Sequence, residues 1–206
     1  MKDLYTLLLQ ILFNVRNSLL AQKNLNLRMA KNKVFIISGR SGEGKTSLLL
    51  QVIKILTNKG LNIYGFYAEG KWEQNTRSGH CLVEIGGESR IELCTTNKTE
   101  GWQKEDRFYF NPNAIKTGNN IIEQATKSEA QLIIIDEIGP FELQGKVWAD
   151  QFFKLLKSSK VPILITTKQK LINAVVTKFG ITDFIEFPSN TSARVIVETL
   201  SEQLKA

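Results

Sequence analysis

Four apolar residues, Val34 to Ile37, run without a break into a glycine-rich turn, and behind it Leu48, Leu49, Val52, Ile53 and Leu56 recur at helical spacing. The first pattern fits a strand buried on both faces, the second an amphipathic helix. Asn58-Lys59-Gly60 stops that helix with a glycine signal. Residues 62–69 (NIYGFYAE) alternate as a second strand, and Cys81–Ile85 and Ser89–Cys94 flank Gly86-Gly87 as a hairpin. Phe108–Phe110 predicts a short strand, and Pro112 opens a helix to about Ser128 that Gly118 weakens. Leu132–Ile135 reads as a buried strand, Val147–Leu156 as a helix, Pro162–Thr166 as a strand and Leu171–Phe179 as a helix. A short strand over Asp183–Phe187 and a helix over residues 192–204 complete the chain.

Strands alternating with helices imply a mainly parallel sheet covered on both faces, a three-layer α/β domain. The hairpin is not needed by such a sheet, so it is expected as a small antiparallel insertion beside it. Ahead of the domain, Leu4, Leu8, Ile11, Leu12, Val15 and Leu19 share one face of an amphipathic helix. The run is too short and interrupted to span a bilayer, and Asp3, Gln10 and the lack of a small-residue cleavage site argue against a secretory signal. The organisation read from the sequence is an N-terminal helical extension, residues 1–32, and a domain over 33–206. The extension suits packing on the body, on a partner chain or on a membrane surface.

The net charge of +7 points first to a nucleic-acid or membrane partner, but residues 1–33 carry six basic groups against Asp3 alone. The body has no basic run, so it gives no strong nucleic-acid signal. Cys81 and Cys94 form neither a disulfide framework nor a metal motif and suit a reducing, cytoplasmic setting, and lone His80 lacks ligand-spaced companions.

Candidate chemistry lies in the turn after the first strand. Gly39-Arg40-Ser41-Gly42-Glu43-Gly44-Lys45-Thr46 is a complete G-x-x-x-x-G-K-[ST] pattern between a strand and a helix, with Ser47 following. Its glycines let successive N–H groups converge on phosphate oxygens, and the helix start adds its positive dipole end. Lys45 supplies a charge for the outer phosphates and the Thr46 hydroxyl a ligand for magnesium. Leu132–Ile135 then delivers Asp136 and Glu137 to the end of a buried strand, where carboxylates are costly without a purpose. Asp136 is expected to hold the magnesium through its water shell, and Glu137 to polarise the water that attacks the γ-phosphate. Ser38-Gly39, Asp136-Glu137 and Thr166-Thr167 should converge where the parallel strands end.

Gly39–Thr46, Gly65-Phe66-Tyr67-Ala68-Glu69, Arg77-Ser78-Gly79-His80 and residues 136–143 (DEIGPFEL) together resemble the THEP-type nucleoside-triphosphatases, a P-loop family. The resemblance runs from about residue 33 to 187 and implies a RecA-like or kinase-like P-loop fold. It also implies slow, Mg-dependent hydrolysis of ATP, GTP and other nucleoside triphosphates with broad base selectivity. It sets Glu69, Arg77 and Glu142 near the site. This chain departs from the family at Ala68, where Thr is usual, at His80, where Phe is usual, and at Thr166-Thr167-Lys168, where a basic pair is common.

A small-molecule or nucleotide kinase uses the same loop and metal, and a nucleotide-dependent switch is a third class; Glu137 directly after Asp136 favours hydrolysis. Charge spreading over the γ-phosphoryl oxygens calls for a cation beyond Lys45. Arg40, Arg77 and Lys168 are the candidates, and the family resemblance favours Arg77.

Overall fold

The computed structural model describes residues 33–204; the expected N-terminal helix lies outside the described residues. Among the described residues, no helix is long and apolar enough to cross a membrane.

The first strand, β1 (Val34–Gly39), is buried along its whole length. Its alternate side chains enter two cores: Val34 and Ile36 join one, Phe35 and Ile37 the other. Strands β2 (Ile63–Glu73), β3 (Thr76–Glu84), β4 (Arg90–Thr95), β5 (Gln103–Glu105), β6 (Phe108–Phe110), β7 (Leu132–Ile135), β8 (Ile163–Lys168) and β9 (Phe184–Pro188) join it in a nine-stranded sheet, ordered β5-β6-β4-β3-β2-β7-β8-β1-β9. Helix α1 (Lys45–Asn58) and the last helix, α6 (Ala193–Leu204), pack on one face through Leu49, Val52, Leu56, Ile196 and Leu200. On the other face, α2 (Pro112–Ala125), α4 (Ala149–Ser158) and α5 (Ile172–Phe179) contribute Ile121, Ile122, Phe152, Leu155 and Val175. A four-residue α3 (Pro140–Leu143) follows the acidic strand β7.

The sheet corrects the expectation of a mainly parallel arrangement. Four strand pairs are parallel, those joining β2, β7, β8, β1 and β9, and four are antiparallel, those joining β2, β3, β4, β6 and β5. The runs expected as a hairpin fall in β3 and β4, which extend this one sheet instead of standing beside it. Between β2 and β3 the chain turns at Gln74 and Asn75, with φ of 46° and 61°. Two successive residues in the left-handed region are what a tight hairpin of the I′ kind requires.

Gly118, which weakens α2 as an isolated helix, has a packing reason: a Cβ there would lie 2.9 Å from Leu82 Cδ1 and 3.2 Å from Trp148 Cε3. The helix starts as its sequence asks. Asn111 caps it by accepting a hydrogen bond from the Asn113 N–H at 3.0 Å, with Pro112 in the first turn.

Candidate active site

Strand β1 ends in the glycine-rich loop, where Gly42 and Gly44 both adopt φ of 83°. An L side chain is strained there, so only glycine turns the chain sharply enough to present its amides to one point. Glu43 folds back over the loop: its Oε2 accepts from the Arg40 N–H at 2.6 Å and from the Ser189 hydroxyl at 3.3 Å. Lys45 Nζ donates to the Arg40 carbonyl at 3.0 Å. Burial lowers the pKa of Lys45, the charges of Glu137, Asp136 and Glu43 raise it, and that of Lys168 lowers it. Those charges locate the loop lysine among the residues that end β7 and β8.

The loop and the acidic strand meet directly. Thr46 Oγ1 donates to Asp136 Oδ2 at 3.1 Å, across a sequence separation of 90 residues. Asp136 is 1% exposed. It accepts two further hydrogen bonds, from the Ala68 N–H at 3.0 Å and from Thr166 Oγ1 at 2.5 Å. Burial nevertheless pushes its pKa up to about 6, and Glu137 adds to the rise while the three donors oppose it.

Strand β8 stands between β1 and β7 and clasps both. Ser38 and Gly39 lie in register with Thr167 and Lys168. The Thr166 hydroxyl donates to Asp136 and accepts from the Glu137 N–H at 2.9 Å, while Thr167 Oγ1 donates to the Ile138 carbonyl at 2.6 Å. Glu137 is held with φ of 65°, unusual for a residue other than glycine and a form of strain that gathers at functional sites.

The remaining candidates separate. Arg77 sits in β3; its guanidinium lies 4.6 Å from the Trp72 ring centroid and 3.1 Å from His80 Nε2. Glu69 pairs with Arg90. Glu142 is buried and accepts from the Gly139 N–H at 2.8 Å, which fixes the turn behind Glu137. Its burial pushes its pKa up to about 8, so near neutral pH it is mostly a neutral carboxylic acid.

With this geometry in view, the sequence profile of a family described as NTPase matches residues 34–187. The chain belongs to this NTPase family. Among its relatives, the nucleoside-triphosphatase THEP1 of Caldivirga maquilingensis is 30% identical over 139 residues, which span 68% of this chain and 76% of that protein. The THEP1 protein of Hyperthermus butylicus is 31% identical over 137 residues, 66% of this chain and 71% of the relative. The fold matches the solution structure of a human cancer-related nucleoside triphosphatase with a TM-score of 0.63 at 18% identity, covering 85% of this chain and 98% of that one. It matches THEP1 from Aquifex aeolicus with a TM-score of 0.62 at 24% identity, covering 84% and 99%.

In this NTPase domain, the oxygens of Thr46 and Asp136 are hard donors, the kind that suit a small divalent cation. A dication beside Asp136 would also favour the ionised carboxylate that burial disfavours. The residues present therefore fit magnesium. Sequence reasoning placed Thr166 at the strand end but not its hydroxyl on both Asp136 and the Glu137 amide. A lone threonine ending a β-branched run carries no signal of that contact.

Proposed function

We propose that this NTPase hydrolyses ATP, GTP and other nucleoside triphosphates to the diphosphate and phosphate, with magnesium and with broad base selectivity. The single observation that carries the reading is the 3.1 Å contact between Thr46 Oγ1 of the loop and the buried Asp136 carboxylate. The backbone of Gly39, Arg40, Ser41, Gly42, Glu43, Gly44, Lys45, Thr46 and Ser47 cradles the phosphates, and the Lys45 ammonium turns from the Arg40 carbonyl to the outer phosphate oxygens. Thr46 and Asp136 hold magnesium, which when bound neutralises charge on the phosphate oxygens. Glu137 takes a proton from the attacking water; the water oxygen bonds to the γ-phosphorus, and the bond to the bridging oxygen breaks with the diphosphate as leaving group. Thr166 orients both acids. As the second cation we favour Lys168, whose charge reaches Lys45 and which shares a cavity with Glu137. Arg77, the residue the family resemblance favours, is engaged by Trp72 and His80. The domain over 33–206 is the catalytic unit, the cytoplasm its setting, and the N-terminal segment a contact for a protein partner or membrane surface. Of the two expected architectures, the strand between β1 and β7 favours the RecA-like one.

The test is phosphate release with and without magnesium. Glu137→Gln is expected to keep nucleotide affinity and to lose turnover by about 10²-fold or more. A Gln variant that releases phosphate at the wild-type rate would remove Glu137 from the mechanism.

A further inference from the structure

Glu137 and Lys168 open onto a cavity of about 320 Å³, and none of the loop residues Gly39–Ser47 lines it. That volume lies at the lower end of the small-molecule range. Its walls include Phe108, Phe110, Phe141, Trp148 and His80. The rings are braced edge to face: Phe110 and Phe141 are 5.1 Å apart at 78°, His80 and Phe108 5.8 Å apart at 63°. Such walls offer flat apolar faces to a ring.

Charge narrows the ligand. Among the lining residues the one lysine or arginine is Lys168, set against Asp106, Glu137 and Glu142. Arg77 touches His80 and Arg107 touches Phe108, but neither lines the cavity. A nucleoside monophosphate would need more cations than that, so the charge balance excludes an anionic ligand, and the apolar ring walls suit an uncharged one.

We propose that this cavity is a second substrate site, for a neutral planar ring compound that carries a hydroxyl group, and that the hydroxyl receives the γ-phosphoryl group at Glu137 in place of water. The proposal rests on the reading of Glu137 as the base. Glu137 takes the hydroxyl proton and the hydroxyl oxygen bonds to the γ-phosphorus. The bond to the bridging oxygen breaks, and its electron pair leaves with the nucleoside diphosphate. The products are a phosphate monoester of the ring alcohol and the diphosphate, and no redox partner is required.

The full chain, isotope-labelled for NMR, is titrated with 4-(hydroxymethyl)pyridine in the absence of nucleotide. The Trp148 indole resonance, identified by its loss in Trp148→Phe, is expected to shift and saturate with a Kd of about 1 mM, while those of Trp72 and Trp102 stay. Gln144 lies exposed at the rim, outside the catalytic machinery. Gln144→Trp should weaken binding at least about tenfold while phosphate release from ATP alone is unchanged. With γ-labelled ATP and saturating alcohol, label is expected on the alcohol in the wild type and not in Gln144→Trp.

A Trp148 resonance unmoved at about 20 mM alcohol, or moved equally in Gln144→Trp, overturns the site. Bound alcohol with all label still released as free phosphate overturns the acceptor assignment. An intact shift with neither free phosphate nor ester formed strikes instead the reading of Glu137, and leaves the ring site standing.

Discussion

Glu142 has an ordinary pKa of 4.5 and is raised by burial to about 8, so between those limits the folded state keeps a proton that the unfolded chain releases. The native state then binds more protons than the unfolded state, and stability falls as pH rises through that window. Its contribution is full below pH 4.5 and lost once pH passes about 8. Glu142→Gln keeps an acceptor for the Gly139 amide without the titration. From pH 5 to 8 the wild-type Tm should therefore drop by about 5 °C more than that of the variant. Parallel Tm profiles in a thermal-melt series would refute it. Asp136 slopes the same way in both proteins and cancels in the comparison. At this scale the loop and the two acids were legible, because glycine spacing and carboxylates after an apolar run are chemical signatures in one dimension. The double hydrogen bond of the Thr166 hydroxyl and the left-handed backbone of Glu137 were not: both belong where β7 and β8 meet, strands that pair only in the folded sheet.

Elements were legible in proportion to how fully they are buried. β1, β7 and β8 read as continuous apolar runs because helices cover both faces. β3, by contrast, mixes exposed, half-buried and buried positions, and its first residues lie beyond a turn built on Gln74-Asn75 without glycine. The usual Asn-Gly signal was missing, so β2 and β3 looked shorter than they are. Gly118 shows the opposite failure, a residue that opposes its helix locally and serves it in the core. Gly118→Ala gains intrinsic helix propensity of about 1 kcal/mol. The added methyl must displace fully buried Leu82 or the rigid indole of Trp148, which costs about 1–3 kcal/mol by overpacking. Urea unfolding is expected to show net destabilisation of about 1 kcal/mol. A more stable variant would mean that the contact relaxes freely.

For the molecule as a whole, the family match over residues 34–187 and the nine-stranded sheet both fall inside the described residues. More than half of the net charge of +7 precedes them. A chain of residues 33–206 should therefore release phosphate within about twofold of the full-length rate. Loss of turnover on that truncation would make the leading segment part of the catalytic core.

The two borders of the sheet have a consequence for assembly. At one border stands β5, three residues reading Gln-Lys-Glu; at the other, β9 ends on Pro188. A brief charged border and one closed by an imide offer a poor template for strand addition. Among the described residues, the sheet is thereby guarded against edge-to-edge polymerisation, and copies that associate through this domain would do so through helical surfaces or through the β2–β3 hairpin end that carries Trp72, 58% exposed.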